Sequence, residues 1–468
     1  MKTFFNKINL FNCKTLPRKV FTFYFSTLII GTILLMLPFS RIEGSESISF
    51  INALFTASSA FSDTGLTVLN TGIYFSTFGQ IIILLLIQIG GIGLMALKVL
   101  LFLFLGKKIG LKERVFASNE RGTGKLGGTV DLLKTSLICI FSIELIATIL
   151  FSLRYYFAYF DNPIFNHNIL KVIFHGLFAA VSSTNNAGFD ILGGNSVEIF
   201  ANDYYIQITT IMCFVLGGLG FPFFYDLKNY FVCKKNKIKF NLSYFSKFIL
   251  KVYFSIAIIA IGLVFLIELT SGTLLYNSKI PLTQRIFYVI FNTFSTRNAG
   301  YATVDMNAFA EGTKIIFSLL MWIGAAPAST GGGIRITTFF ICVLALVAYS
   351  KNKKEASFLG RKIPDDTVSK SLLVVFISQF LVFLATIIIV TCTKNISFLQ
   401  AYFESCSAFG TTGLTLGITS NLTSISKIAI IFLMFAGQIG VSNIILMWSN
   451  KKIYNDKSTL PEEDILIN

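Results

Sequence analysis

The chain has 468 residues, of which 54% are hydrophobic and only 13% are charged. Because a soluble globular protein carries about 25% charged residues, this composition excludes that class and predicts an integral membrane protein. The formal net charge of +16 does not indicate nucleic-acid binding, since no basic, aromatic-rich domain stands apart from the apolar segments.

The basic residues predict the orientation of the chain. Lys and Arg cluster in five hydrophilic stretches, whereas the hydrophilic stretches between them hold much of the acid. This alternation is the positive-inside pattern, which places the basic loops and both termini in the cytoplasm. The basic stretches are residues 2–19, 107–134, 228–251, 351–370 and 451–457.

Apolar segments recur in four units along the chain. Each unit is predicted to contain an outer span, a short helix, a glycine segment and an inner span. The short helices have too few residues to cross a bilayer, so they are candidates for re-entrant helices. The three helices are predicted over 20–38, 48–61 and 78–105 in the first unit, 132–157, 170–182 and 204–224 in the second, 248–269, 281–293 and 313–348 in the third, and 371–391, 398–409 and 425–448 in the fourth.

The predicted segmentation follows from these units. It consists of a cytoplasmic N-terminus (1–19), repeat 1 (20–106), a cytoplasmic linker (107–131), repeat 2 (132–225), a second linker (226–246), repeat 3 with a broken inner helix (247–350), a third linker (351–368), repeat 4 (369–450) and a cytoplasmic tail (451–468).

Each unit carries a glycine segment and, further along, a patch of small residues. The central glycines Gly65, Gly188, Gly300 and Gly413 recur at a nearly constant interval. The small-residue patches follow them at a nearly constant offset and begin at Gly90, Gly217, Gly324 and Gly437. Two features that recur together at nearly constant spacing in all four units indicate internal repeats. All four units begin and end in the cytoplasm, so the repeats are predicted to be parallel.

The glycine segments have the chemistry of an ion filter. Irregular backbone cannot face lipid, so it must be buried in protein or line water. Potassium filters replace the ion's hydration shell with rings of backbone carbonyl oxygens, and glycine permits the backbone dihedrals that turn carbonyls inward. The alternative is that the glycines only allow close helix packing, and for the inner-span patches both interpretations stay open. The predicted K+ filter residues are Thr64, Gly65, Asn186, Ala187, Gly188, Asn298, Ala299, Gly300, Thr412 and Gly413.

The third inner span contains an unusual polar stretch. Pro327 removes a helical hydrogen bond, and consecutive glycines disfavour a helix by about 1 kcal/mol each. We therefore expect two helices joined by a loop on the cytoplasmic side of the filter. The functional interpretation is a barrier in the ion path; the alternative is a kinked packing helix. The predicted gate residues are Ser329, Thr330, Gly331, Gly332 and Gly333.

Other candidate sites are few. Asp63 either concentrates cations or bonds the backbone, and Arg297 is expected behind the third filter, anchored to acidic or carbonyl groups. The seven cysteines are scattered without a Cys-x-x-Cys pair, which predicts neither disulfides nor a metal site. The sequence shows no phosphate-binding loop, paired carboxylates or nucleophile constellation. It therefore predicts a protein that is not an enzyme and holds no tight cofactor.

The glycine segments resemble those of a known family. Residues 59–66, 185–190, 296–301 and 407–414 resemble the four pore loops of the Trk/Ktr/HKT potassium transporters. Residues 328–335 resemble the family's intramembrane gating loop. The resemblance covers about residues 20–448, and the length is similar to that of the Ktr-type membrane subunit. It implies an all-α integral membrane protein with four parallel helix–pore-loop–helix repeats around one central pore.

The resemblance also implies function and partners. Such proteins conduct K+ in the bacterial cell membrane, form homodimers with one pore per protomer, and bind a cytosolic ring of nucleotide-binding regulatory subunits. Ktr uptake is often helped by sodium, so Na+ activation is a further expectation. One position departs from the pattern: Gln438 stands where the family usually carries a pore-facing arginine. We therefore assign Gln438 to the gate and expect a leakier or differently gated pore.

A coupled carrier is the main rival function. A Na+- or H+-coupled secondary transporter predicts inverted repeats and ionisable residues at the membrane midplane. The nearest candidates, Glu144, Glu268 and Glu404, are expected near helix ends. The sequence thus favours a channel-like subunit over a carrier.

Overall fold

The structure is a computed structural model that describes residues 16–93, 129–194, 196–276, 280–353 and 355–448. The predicted C-terminal tail and most of the N-terminus and of the first linker lie outside these residues, as does the end of repeat 1.

Helices account for most of the described chain, and each unit contributes four of them. The first unit contains α1 (Leu16–Met36), α2 (Phe50–Phe61), α3 (Thr71–Tyr74) and α4 (Thr77–Ile92). The second contains α5 (Thr129–Tyr159), α6 (Ile169–Thr184), α7 (Tyr204–Gly218) and α8 (Phe221–Lys235). The third contains α9 (Tyr244–Ser271), α10 (Leu282–Ser295), α11 (Glu311–Ile323) and α12 (Ile336–Ser350). The fourth contains α13 (Asp365–Cys392), α14 (Phe398–Gly410), α15 (Ser424–Ile439) and α16 (Val441–Trp448).

The short helices α2, α6, α10 and α14, called the pore helices below, lie where the amphipathic stretches predict them. Three of them begin at side-chain caps, which satisfy backbone N–H groups that a helix start leaves unpaired. Ser49 accepts from Asn52 N, Asn168 accepts from Leu170 N, and Ser397 accepts from Gln400 N in a capping box. The C-terminal half of each pore helix is largely buried, so each helix ends inside the protein.

Three helices are long and apolar enough to cross a membrane, and one bent pair passes the same test when its two helices are counted together. The three helices are Val130–Tyr159, Tyr244–Ser271 and Asp365–Cys392. The bent pair, α7 and α8, turns by 98° between Gly218 and Phe221. Other apolar helices, such as Ile336–Ser350 and Ser424–Ile439, are shorter, because the third and fourth inner spans break.

More of the inner spans are broken than the sequence predicts. The expectation of one break, in the third unit, is wrong, because the second span also breaks between α7 and α8 and the fourth between α15 and α16. Gly220, Gly324 and Gly440 stand at these three breaks with φ of +88°, +76° and +87°. This backbone conformation is left-handed and favours glycine. α8 also continues to Lys235, well into the stretch predicted as a linker.

The units close into a ring through contacts between consecutive units. Each inner helix meets the pore helix of the next unit, or the residue that follows it, and the fourth inner helix meets the first pore helix. In chain order these contacts are Gly91 with Asn185, Phe214 with Phe291, Met321 with Gly410, and Gln438 with Phe61. The ring order therefore follows the chain order.

Between α12 and α13 lies a small antiparallel hairpin of β1 (Ser357–Phe358) and β2 (Arg361–Lys362). Tyr244, at the start of α9, donates its hydroxyl to the carbonyl oxygen of Phe358 at 2.8 Å. The Lys362 ammonium lies 2.5 Å from Glu355, and this hydrogen bond raises the pKa of Lys362. The hairpin is thus attached to the third unit at the end predicted to be cytoplasmic.

Candidate ion pore

The four filter glycines meet in one ring. A Cβ built on Gly65 would lie 2.5 Å from the carbonyl oxygen of Ala187, and one on Gly188 would lie 3.0 Å from that of Ala299. A Cβ on Gly300 would overlap the carbonyl oxygen of Thr412, and one on Gly413 would overlap that of Thr64. Each glycine thus lies against the residue that precedes the next glycine, and the fourth contact returns to the first unit.

All four glycines line the same cavity, which has a volume of about 340 Å³. Its wall also includes the acidic residues Asp190, Glu198 and Asp305, whereas no lysine or arginine of the described chain lines it. Acidic groups around a concave entrance raise the local concentration of cations. The cavity therefore has the shape and charge of a cation vestibule above the ring.

The filter backbone is irregular in the same way in every unit. The glycines have φ of +85°, +68°, +74° and +96° in chain order. Two residues before each glycine, a residue with a Cβ also has positive φ: Asp63, Asn186, Asn298 and Thr411, at +53°, +61°, +72° and +51°. Sequence reasoning missed this second position, although Asn and Asp tolerate the left-handed region better than most residues and so provide a signal.

Serines on the pore helices hold the filter segments. Ser182 donates to the carbonyl oxygen of Phe189 at 2.7 Å, and Ser295 donates to that of Tyr301 at 2.6 Å. In the fourth unit Ser407 accepts from the N–H of Gly413 at 3.0 Å. Sequence reasoning missed these residues too, yet a serine five or six positions before each filter glycine is visible in the sequence.

The pore helices present their C-terminal ends to the ring. α2, α6, α10 and α14 end three to five residues before their filter glycines. A helix C-terminus carries about half a negative charge from its unpaired carbonyl groups. Four such ends around one ring favour a cation at its centre and disfavour an anion.

The polar stretch of the third inner span forms a loop, residues 324–335, between α11 and α12. Ser329 donates to the carbonyl oxygen of Ala326 at 2.6 Å, and Arg335 donates to the carbonyl oxygen of Gly331. The loop also bonds the second unit, because Phe221 N donates to the carbonyl oxygen of Ala328 at 2.8 Å. Ser329, Thr330 and the three glycines are buried. The loop is therefore an ordered structure.

The loop contacts two filter segments, in each case at the residue two positions before the filter glycine. The N–H of Gly332 donates to Thr411 Oγ1 at 2.8 Å. A Cβ on Gly331 would lie 2.8 Å from Cβ of Asn298, which itself donates its amide to the carbonyl oxygen of Gly410. The residues predicted as gate and filter are thus in direct contact, through two positions that lie just before the filter glycines.

The side chain of Gln438 bonds the first unit and not the loop. Its Nε2 donates to the carbonyl oxygen of Phe61 at 2.8 Å, at the end of the first pore helix. Its neighbour Gly437 approaches the loop, since a Cβ on Gly332 would lie 3.1 Å from the carbonyl carbon of Gly437. Gln438 therefore joins units four and one beside the loop.

The packing alternative for the inner-span patches is supported at three positions. Cβ atoms on Gly90, Gly217 and Gly437 would overlap the carbonyl oxygens of the last or next-to-last residues of pore helices, Phe61, Thr184 and Phe409. These glycines allow the inner helices to approach the pore helices. The final glycine of the second and fourth patches has the separate task of ending the helix.

Asp63 and Arg297 are fully buried in the first and third units. The guanidinium of Arg297 lies 5.3 Å from the centre of the Tyr253 ring, and none of its three nitrogens has a hydrogen-bond partner in the described part of the chain. The predicted acidic or carbonyl anchor of Arg297 is therefore wrong. Neither carboxylate oxygen of Asp63 has a hydrogen-bond partner among the described residues, which excludes backbone bonding as its role here.

Two of the three candidate glutamates are not near helix ends, so that expectation is wrong for them. Glu144 is the central residue of α5, and its Oε1 accepts from Asn185 at 2.9 Å and from Gln88 at 3.0 Å. Glu404 is the central residue of α14 and accepts from Thr415 at 3.2 Å. Glu268 is near the end of α9, where it accepts from Ala310 N at 2.9 Å. Hydroxyl, amide or N–H donors thus bond at least one oxygen of each of these carboxylates.

Comparisons with known proteins agree on one family. The cation transport protein family TrkH matches residues 13–457. The chain is 36% identical to Ktr system potassium uptake protein D of Bacillus subtilis over 446 residues, covering 95% of each chain. It is 38% identical to Ktr system potassium uptake protein B of the same organism over 427 residues, covering 91% of each chain.

A solved structure shares the fold. The crystal structure of the potassium transporter TrkH from Vibrio parahaemolyticus superposes with a TM-score of 0.68 and 17% sequence identity, covering 94% of this chain and 86% of that one. The ring of four pore loops seen here is consistent with that fold. With a family match over nearly its whole length, this chain belongs to the TrkH family of cation transport proteins.

Proposed function

We propose that this chain is the ion-conducting subunit of a potassium uptake system. The single observation that carries the proposal is the closed ring of filter segments, in which each glycine lies against the carbonyl of the residue before the next glycine. The names of the B. subtilis relatives point to K+ as the ion. A ring of neutral backbone oxygens suits an alkali cation, because it replaces a hydration shell without binding the ion too tightly to leave.

In this proposal K+ enters from the acidic cavity, loses its water at the ring and passes the loop of residues 324–335. The carbonyl groups at and before the four glycines coordinate it. Ser329, Thr330 and the three glycines of the loop form the barrier, with Gln438 beside it. Fixed carbonyl oxygens discriminate between K+ and Na+ through the size and field of the site they enclose.

We further propose the assembly that the family resemblance implies. The chain forms a homodimer in a bacterial cell membrane, with both termini in the cytoplasm and one pore per protomer. A cytosolic ring of nucleotide-binding subunits opens the loop, and Na+ activates uptake. The relatives are named as proteins of a Ktr system, which supports a separate regulatory subunit.

One substitution tests the filter. Gly413→Ser places a Cβ over the carbonyl oxygen of Thr64 and 3.1 Å from Cα of Gly65. We expect K+/Na+ discrimination in liposome flux to fall by roughly tenfold or more, which corresponds to about 1.4 kcal/mol. Gly272→Ser is the matched control, since Gly272 also has positive φ (+67°) but its Cβ would meet no atom within 4 Å, at the end of α9. Unchanged selectivity in Gly413→Ser would contradict the filter assignment.

A coupled carrier remains the second candidate because of Glu144, a buried carboxylate at the centre of a spanning helix. Such a residue is a candidate site for a coupling ion or proton. The two functions differ in flux: a carrier accumulates K+ against its gradient when driven by H+ or Na+, whereas a channel only dissipates a gradient. Uptake by a K+-transport-deficient strain, with and without a co-expressed regulatory subunit, tests the partner requirement of the first candidate.

A further inference from the structure

The position two residues before each filter glycine shares a backbone conformation but not a side-chain environment. Asn298 donates to the carbonyl oxygen of Gly410, and Thr411 accepts from Gly332 N at 2.8 Å. Asn186, with its amide nitrogen toward the inner helix, donates to the carbonyl oxygens of Phe214 (3.0 Å) and Ser183 (3.2 Å). Three of the four positions therefore hold neutral side chains that are hydrogen-bonded within the protein.

Asp63 is the exception at this position. Its side chain is fully buried, it is the acidic member of the set, and neither of its oxygens has a partner within the described chain. Tyr24 of α1 lies within electrostatic range of Asp63 and faces Ser58 and Ser62. The hydroxyl of Ser59 also has no hydrogen-bond partner in the part of the chain described. The region behind the first filter segment is thus polar.

A buried carboxylate without a partner is costly, because its desolvation is not repaid by hydrogen bonds or by an opposite charge. Among the described residues, no lysine or arginine forms an ion pair with Asp63. Within a membrane such a group is expected to have a functional partner. Asp63 is two residues from Gly65, which limits their Cα atoms to about 7 Å apart. A cation bound in the ring would therefore be close enough to interact with this carboxylate through space.

We propose that Asp63 determines cation affinity in the filter: a permeating monovalent cation stabilises the ionised form of its carboxylate, and that negative charge in turn strengthens binding of the cation. This inference rests on the proposed function, because it assumes that the ring of Thr64 and Gly65 binds the ion. The carboxylate acts through its field and not as a ligand. It therefore strengthens binding of any monovalent cation by a similar factor and leaves selectivity to the carbonyl groups.

Asp63→Asn tests the inference with little disturbance. Asparagine has the same shape, tolerates the left-handed backbone, and already occupies the corresponding positions 186 and 298. If the two charges are about 8–10 Å apart in an effective dielectric constant of about 20, loss of the charge weakens cation binding by up to roughly tenfold to fiftyfold. We expect the K+ concentration for half-maximal uptake to rise by that factor while the maximal rate is maintained.

Two further measurements separate charge from packing. The half-maximal concentrations for K+ and Rb+ should rise together in Asp63→Asn, so that their ratio is unchanged. Glu268→Gln is the matched control: it also removes one buried negative charge, but from a carboxylate that is hydrogen-bonded near the end of α9, and its half-maximal concentration should stay that of the wild type.

The inference is overturned if Asp63→Asn leaves the half-maximal K+ concentration unchanged, or if it alters the K+/Rb+ ratio without weakening binding. Asp63→Ser, which is neutral and smaller, gives the same test should the asparagine variant fail to reach the membrane. A wild-type protein that transports K+ while Asp63→Asn is silent contradicts this inference alone. A wild-type protein without K+ flux contradicts the proposed function.

Discussion

Thr411 connects the filter to the loop, and removing its hydroxyl should release the loop. Thr411 Oγ1 accepts from the N–H of Gly332 at 2.8 Å, and both residues are buried. Thr411→Val removes the acceptor but keeps the branched shape that packs against Gly332. Thr411→Ser is the matched control, because it keeps the hydroxyl and loses only the methyl group.

The size of the effect follows from the burial of the bond. A buried N–H left without an acceptor costs about 1–3 kcal/mol. If the loop moves away from Thr411 when the pore opens, that cost falls on the closed state alone. A differential free energy of about 1–3 kcal/mol changes a two-state equilibrium by about 5–150-fold. Thr411→Val should therefore raise the K+ flux of the chain in the absence of any regulatory subunit by a factor in that range.

The assay is flux of K+ or Rb+ into liposomes that contain the purified chain alone, normalised to the protein incorporated. Thr411→Ser should behave much like the wild type. K+/Na+ selectivity should be unchanged in both variants, because the ring uses the carbonyl of Thr412 and not the side chain of Thr411. Equal flux in Thr411→Val, Thr411→Ser and the wild type would refute the view that this bond holds the loop closed.

Two other substitutions test the gate and the rival function. Gln438→Arg should lower unstimulated K+ flux severalfold, because a cation beside the loop repels K+. Gln438→Met, which has a similar length and no charge, should leave this flux unchanged. Unchanged flux in Gln438→Arg would contradict the expected effect of the missing arginine. Glu144→Gln keeps an acceptor oxygen for Gln88 and Asn185, so downhill K+ flux should persist with a loss of stability of about 1–3 kcal/mol, measured as thermal unfolding in detergent. Loss of H+-driven K+ accumulation with retained K+ exchange in Glu144→Gln would instead support the carrier.

The sequence predicts the pore helices well because their signals are local. A polar cap, a short amphipathic run and a following glycine all lie close together in the chain, and the observed helix α14 (Phe398–Gly410) ends only one position beyond its predicted range. The filter glycines are equally local, since their need for positive φ appears directly as a residue type. Each of these signals is weak in a single unit, but their recurrence in four units allows the pore helices and glycine segments to be recognised.

The inner-helix breaks at Gly220 and Gly440 were harder to predict, for a physical reason. Glycine within an apolar run is compatible with a membrane helix, where it often serves packing, so a pattern such as Gly217-Gly218-Leu219-Gly220 fits both a tight contact and a break. The structure assigns both tasks to the same patch: Gly217 meets a pore helix, and Gly220 ends the helix. Only the three-dimensional packing separates them.

The environments of Asp63, Arg297 and Glu144 could not be predicted from the sequence, for a different reason. Their partners, or the absence of partners, depend on side chains from elements that lie far away along the chain. Arg297 meets Tyr253 of α9, and Glu144 meets Gln88 of α4. No local pattern predicts such contacts.

The position two residues before each filter glycine explains how a fourfold scaffold supports unequal units. Its positive φ is set by the backbone of the ring, and this restricts the residue mainly to types that tolerate that conformation. Its side chain is not needed to coordinate the ion, which the carbonyl groups do. The side chain is therefore free to differ between units: Asn186 bonds its inner helix, Asn298 bonds the next pore helix, and Thr411 bonds the loop. Asp63 supplies charge in our proposal. Exchanging side chains at this one position should thus change affinity or gating separately while the carbonyl ring, and with it selectivity, is preserved.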